Sequence, residues 1–352
     1  MRLHGLRMYK RSIVCGVSLG LALIVFFVSA RVLQSQLKFS LQSQTMSLLQ
    51  PRQFAAVAHD PVHRQFILFG GTNGSQRFDD TWVLGLSGWS VVSPVIHPAA
   101  RISAAAAYDF KHNQTVLFGG RVKQALLPMC APGGVPQRLR AEYFCGDTWV
   151  FDGRIWIPKL TFTAPSPREG HAMAYDQQQN QTVLFGGTAG GSAAPLNDTW
   201  IWDGNNWKLA NPAHRPPARF WHTMAYDPVH RQVVLFGGTN GSQYLNDTWL
   251  WNGSDWQVAG YQGTPPELRT NAAMDYDITT SKMVLFSGSS WVTPRSGTIA
   301  QTSWSWDGTH WKLLPSGSFK LFTDFSKVPM VDLLNGLVAN GTPTYLWVPT
   351  GK

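Results

Sequence analysis

Charge is the first thing this chain is short of: only 14% of its 352 residues are Asp, Glu, Lys or Arg. The 29 basic residues outnumber the 20 acidic ones, for a net charge of +9. Four of those bases, Arg2, Arg7, Lys10 and Arg11, crowd the N-terminus. Beyond them no Lys/Arg cluster remains to track a phosphate backbone, so nucleic acid is not an expected partner. Cysteine is nearly missing too, at three residues. That is too few for a disulfide framework, and a chain of this length buries an adequate core without one. No Ser-His-Asp set, metal-ligand spacing or phosphate-cradling loop stands out. No catalytic residue, metal or cofactor is therefore assigned.

What is present begins with an apolar run. Ile13 to Ala30 carries no charged residue, and as a helix rising ~1.5 Å per residue it would span about 27 Å, close to a bilayer's hydrocarbon thickness. Four bases precede it and Arg31 follows at once, an asymmetry that keeps the N-terminus in the cytoplasm and carries the rest across. Residues 1–31 are expected to be a signal peptide or transmembrane anchor. Val28-Ser29-Ala30 has the small-residue pattern of a cleavage site, while the run exceeds the roughly 7–15 residues usual for a signal core. The reading favoured is a membrane-anchored protein with residues 32–352 outside the cytoplasm, or a secreted one if cleaved after Ala30. Cys15, early in the run, reads as apolar filling.

Glycine (33) and tryptophan (16) are abundant, and they recur in register. "RQFAAVAHDPVHRQFILFGG" from Arg52 returns as "RISAAAAYDFKHNQTVLFGG" from Arg101, "REGHAMAYDQQQNQTVLFGG" from Arg168, "RFWHTMAYDPVHRQVVLFGG" from Arg219 and "RTNAAMDYDITTSKMVLFSG" from Arg269. Each is followed by a segment of the type "DTWIWDG", with Trp82, Trp149, Trp200, Trp249 and Trp304 in the shared column, and is closed by Trp89, Trp156, Trp207, Trp256 or Trp311. The period near fifty residues points to a propeller or solenoid. Each unit reads as four strands: small and apolar, buried, alternating, and short. Asp203-Gly204, Asn252-Gly253 and Asp307-Gly308 predict two-residue hairpin turns between strands three and four. The pairs Gly70-Gly71, Gly119-Gly120, Gly186-Gly187 and Gly237-Gly238, with Gly288 in the fifth unit, let the backbone turn and pass close to a neighbour. A four-stranded sheet has two apolar faces to hide, so units must stack, burying Trp and Phe between them.

The glycine pair, the spaced aromatics and the second tryptophan resemble kelch repeats, in the style of bacterial kelch and galactose-oxidase-type propellers, over about residues 39–347. The resemblance implies an all-β, six-bladed kelch propeller of four-stranded antiparallel blades. Their approximate extents are 52–100, 101–167, 168–218, 219–268, 269–320, and 321–352 plus 39–49. Five units are complete. The tail supplies three strands of a sixth, at Val328–Asp332, Leu337–Gly341 and Tyr345–Trp347, and the segment Phe39–Leu49 is expected to close the ring as its fourth. The alternatives are an open five-bladed ring or a truncated natural sequence.

Length variation falls in the loops between strands two and three: Arg121–Gly146, Thr188–Asn197 and Ser289–Gln301. Variable loops on a rigid scaffold are where binding tends to reside. The five repeated arginines lie near the same face, and repetition reads first as structural, pairing with loop carbonyls or an Asp. Blades three and four depart from the others, with Glu169 and His171 after Arg168, and Trp221 and His222 after Arg219; Ala55, Ala104 and Ala272 hold the histidine column elsewhere. Arg168, Glu169, His171, Arg219, Trp221, His222 and Trp291 are accordingly candidate ligand-binding residues, suited to a carboxylate or a sugar. Cys130 and Cys145 are expected to staple the long blade-two loop. The functional expectation is a monomeric module that binds a protein or glycan through its long-loop face. Two enzymatic alternatives stay open: a sugar mutarotase or epimerase, and a galactose-oxidase-like copper enzyme.

Overall fold

The computed structural model describes residues 49–315, less 124–136, 140–141, 190–193 and scattered single or paired positions, together with strands at 319–322, 337–338 and 346–349. The chain divides after Leu48, and the blades lie in the unit from Leu49 on. The apolar run 13–30, Cys15 and most of the expected closing strand 39–49 lie outside the described residues. Among those described, no helix is long and apolar enough to cross a membrane.

Five antiparallel sheets of four strands are arranged as blades of a β-propeller. Blade one comprises Ala56–Asp60, Gln65–Phe69, Thr81–Gly85 and Gly88–Val92; blade two Ala105–Asp109, Gln114–Phe118, Thr148–Phe151 and Trp156–Lys159. Blade three comprises Ala172–Asp176, Gln181–Phe185, Thr199–Trp202 and Trp207–Leu209; blade four Thr223–Asp227, Gln232–Phe236, Thr248–Trp251 and Trp256–Val258. Blade five comprises Ala273–Asp277, Lys282–Phe286, Ser303–Trp306 and Trp311–Leu313. The first strands of successive blades are neighbours around a central channel.

The expectation of six such blades is corrected to five. The tail forms instead a three-stranded sheet in which Leu346–Pro349 pairs on one side with Phe319–Phe322 and on the other with Leu337–Val338. Phe319–Phe322, which straddles the expected boundary between the fifth and sixth units, is one of its members. No fourth strand joins it among the described residues.

The hairpin turns also differ from expectation. Trp202 pairs with Trp207, Trp251 with Trp256 and Trp306 with Trp311, leaving four residues in each loop. Only the glycine takes a positive φ, so these are not the mirror-image two-residue turns that need it at both centres. The leading Asp or Asn closes the loop itself: Asp203 Oδ1 accepts from the amides of Asn205 and Asn206, both at 2.8 Å, a local mimic of a backbone turn. Glycine is favoured at all three positions for a second reason, the mildest case being Gly253, whose Cβ would lie 2.7 Å from Gln179 Cγ. A Cβ on Gly204 would lie 2.2 Å from His112 Cε1 of blade two, and one on Gly308 would lie 2.3 Å from His230 of blade four.

The joint between blades is built three times over. The closing tryptophan of each of blades two to five reaches back to the threonine of the preceding "DTW". Trp156 donates to Thr81 Oγ1, Trp207 to Thr148, Trp256 to Thr199 and Trp311 to Thr248, at 2.8–2.9 Å. Its ring meets the phenylalanine ending strand two of the preceding blade edge-on, as Trp207 does with Phe118 at 5.3 Å. An indole burying ~150 Å² gains roughly 4 kcal/mol gross before entropy is subtracted. Two residues after the phenylalanine that ends strand two, the second glycine of each pair donates to the carbonyl of the next arginine, for example Gly120 to Arg168 at 2.8 Å.

Candidate functional site

The five arginines form the scaffold of the long-loop face. Each begins its blade and is 0–2% exposed. Arg168 uses all five of its donors: Nε to the Ser166 carbonyl, Nη1 to the Gly186 carbonyl and Asp198 Oδ1, Nη2 to Ser166 Oγ and Asp198 Oδ2. Arg52, Arg101 and Arg219 make the same fork to Asp80, Asp147 and Asp247. The same aspartate accepts from the indole two residues on, Trp200 Nε1 to Asp198 Oδ2 at 2.7 Å being one case. Hydrogen bonds and charge from Arg168 and Arg219 outweigh burial and hold Asp198 and Asp247 below the usual carboxylate range. A bidentate guanidinium–carboxylate pair of this kind fixes geometry as well as charge. Arg168 and Arg219 therefore act as latches between strands one and three, and neither lines the channel.

Two residues beyond each latch the backbone turns into the left-handed region: Phe54 (φ 57°), Ser103 (55°), Gly170 (65°), Trp221 (56°) and Asn271 (52°). This kink aims each amide at the preceding blade. Ser103 N donates to Phe54 O (2.9 Å), Gly170 N to Ser103 O (3.2 Å), Trp221 N to Gly170 O (2.7 Å) and Asn271 N to Trp221 O (2.8 Å). The result is a hydrogen-bonded rim joining all five blades at one end of the channel. A bulky aromatic at positive φ costs of order 1–3 kcal/mol, and such strain gathers at functional positions. Trp221 carries it, packed over Gly170, where a Cβ would meet Trp221 Cδ1 at 2.8 Å.

The channel encloses a cavity of about 780 Å³ lined by the first strands of all five blades and by the rim. Its wall is mainly alanine, methionine and tyrosine. His171, His222 and Trp221 are among its lining residues, with their ring nitrogens buried. The two imidazoles are 6% and 7% exposed and meet Phe118 and Phe185 edge-on at 5.5 and 5.6 Å. No nitrogen of either ring, nor Trp221 Nε1, makes a well-formed hydrogen bond within the protein, the imidazoles having only the nearby carbonyls of Phe118 and Phe185. Burial, reinforced by the neighbouring arginine, pushes His171 down to about 3 and His222 well below its ordinary value, so both are neutral. The carbonyls of Phe118 and Phe185 offset this only in part.

Of the other candidates, Glu169 pairs with Arg121 at 3.2 Å outside the channel lining, its carboxyl pushed up by burial. Arg121 also meets Glu142 (2.9 Å), and Glu142 meets Arg77, so these charges tie the loops of blades one to three together. Arg121–Val122, Gln137–Leu139 and Glu142–Phe144 form a small sheet of their own on the long blade-two loop. Trp291 falls in the strand Ser289–Thr293, and its side chain lies outside the described residues. Cys145 is disulfide-bonded; its expected partner Cys130 is outside them. No group of three His, Cys, Asp or Glu able to hold a metal occurs among the described residues. The rim and the cavity pair described below were not anticipated from the sequence.

The class this fold defines is the β-propeller with four-stranded antiparallel blades. Compared with known proteins, the chain matches no family model and no curated sequence.

Proposed function

We propose that this protein is an exported propeller of the kelch type that binds an uncharged, hydroxyl-rich ligand, such as the end of a glycan, in its central channel. The observation that carries the reading is the cluster of His171, His222 and Trp221. Neutral imidazoles each offer one donor and one acceptor, and the indole N–H adds a further donor. Buried polar groups without partners are costly, and a sugar hydroxyl, donor and acceptor at once, complements all three. Trp221 also offers a face for stacking. A carboxylate ligand is disfavoured because the latch arginines spend their donors internally. Export is supported by the basic-flanked apolar run from Ile13 to Ala30 and by the disulfide at Cys145, a bond that persists in oxidising compartments; the anchor reading of residues 1–31 belongs to the same proposal.

The test is calorimetric titration of the purified full chain with methyl α- and β-pyranosides of glucose, galactose and mannose. At least one should bind with a Kd of about 1 mM or tighter, and His171→Ala or His222→Ala should weaken it about tenfold without loss of folding. Absence of saturable binding across the panel would refute the proposal.

A further inference from the structure

Two residues break the columns of the first strands. The fourth position reads Tyr108, Tyr175, Tyr226 and Tyr276 in blades two to five, but His59 in blade one. The third reads Ala58, Ala107, Ala174 and Ala225 in blades one to four, but Asp275 in blade five. These exceptions come from opposite ends of the repeat series, yet they meet: His59 Nδ1 lies 3.4 Å from Asp275 Oδ2. Both line the cavity and are 28% and 27% exposed, within reach of a ligand. The histidine plane is fixed by stacking on Phe66, with centroids 4.6 Å apart and planes 16° from parallel. The carboxylate is fixed by the Tyr276 amide, which donates to Asp275 Oδ1 at 2.8 Å.

Asp275 is the one carboxylate in the lining among the described residues. An acid exposed to a wall of alanine, methionine and tyrosine is expensive unless something uses it. With its Nδ1 side turned to a carboxylate, an imidazole carries its proton there and presents a bare Nε2. We propose that His59 and Asp275 form a second contact point for the channel ligand, Asp275 holding the Nδ1 proton of His59 so that Nε2 accepts a hydrogen bond from a ligand hydroxyl. The proposal rests on the reading that the channel takes a hydroxyl-bearing ligand. It adds that the ligand spans from the His171–Trp221–His222 cluster to a proton-accepting site contributed by blades one and five.

The competing account is that the pair merely ties blade five to blade one. His59→Asn separates the two, because the Asn amide can still donate to Asp275 from the Nδ1 position but has nothing in place of Nε2. With the pyranoside panel, His59→Asn should keep its melting temperature and lose about tenfold in affinity. A change below about threefold, in a panel the wild type binds, would overturn this proposal alone and leave a structural tie. No binding by the wild type would overturn it together with the reading it rests on. Independently of ligand, nitrogen-15 NMR of the wild type at a pH where His59 is neutral should show the proton on Nδ1. A proton on Nε2 would overturn the proposal whatever the binding data.

Discussion

Blades three and five hold the same arginine at the same position with different carboxylates. In blade three, Asp198 from the start of strand three grips Arg168 with both oxygens, at 2.7 Å each. In blade five the aspartate column holds Thr302, which reaches Arg269 Nη2 through Oγ1 at 2.8 Å. The charge comes from Glu267, two residues upstream of the arginine, which also bonds Arg269 Nη2. Its side chain is 44% exposed, against 27% for Asp198. Burial lowers the Arg269 pKa, and only Glu267 opposes that shift. The lesson is that the scaffold requires a neutralised guanidinium at this point more strictly than it requires a particular donor of negative charge.

The comparison can be broken most sharply at the latches. Asp198→Ala strands a fully buried guanidinium and should cost about 3–5 kcal/mol, whereas Glu267→Ala strands the equally buried Arg269 but leaves its bond to Thr302 and should cost less, about 2–3 kcal/mol. Denaturant unfolding of the two variants measures the gap, and equal costs would erase the distinction between the blades. The turn glycines offer the next contrast. Gly204→Ala meets both positive φ and the His112 ring, and should cost about 3 kcal/mol. Gly153→Ala, with no atom within 4 Å of the new Cβ, faces positive φ alone and should cost about 1 kcal/mol. A third contrast sets His171 and His222 against the alanines of the other blades. Both rings are neutral when folded and titrate near 6.5 when unfolded, so the unfolded chain binds more protons as pH falls below that value. The stabilising contribution of His171 is complete above pH 6.5 and is lost between 6.5 and about 3, by roughly 2 kcal/mol at pH 5, and that of His222 falls in the same direction. The double variant His171→Ala, His222→Ala should flatten melting temperature against pH in that window; Asp198 and Asp247, whose pKa values are lowered, act only at lower pH. The smallest effect is a transplant: Thr302→Asp with Glu267→Gln should rebuild the blade-three latch in blade five and change stability by no more than about 1 kcal/mol.

Much of the framework was legible because it is written five times. The tryptophan and glycine columns mark strands, turns and stacking faces through local periodicity, and those strands form. The tail was harder to read because it carries no second copy of its own pattern to align against, and five four-stranded blades stand where six were expected. At the site, the reading of the repeated arginines as partners of loop carbonyls or an Asp agrees with the structure, although Arg168 and Arg219 also stood among the ligand candidates. Arg168 and Arg219 stand beside an unusual residue set, yet the "DTW" aspartate that occupies them is also repeated, about thirty residues downstream. The sheet order, which sets the start of strand three across strand two from the start of strand one, was needed to see it. The left-handed rim was invisible because Phe, Ser, Gly, Trp and Asn share no side-chain chemistry; only backbone direction unites them. His59 and Asp275 did leave a signal, each being the odd member of its column, but nothing in one dimension says that two exceptions 216 positions apart come together.

The backward reach of Trp207 to Thr148 and of Trp256 to Thr199 gives each blade one half of two matched couplings. A tandem copy of residues 168–218 would arrive with its indole fitted to the threonine before it and its threonine fitted to the indole after it. Growth of such a ring by gene duplication thus demands no new interface chemistry; curvature, not recognition, would limit how many units the circle accepts.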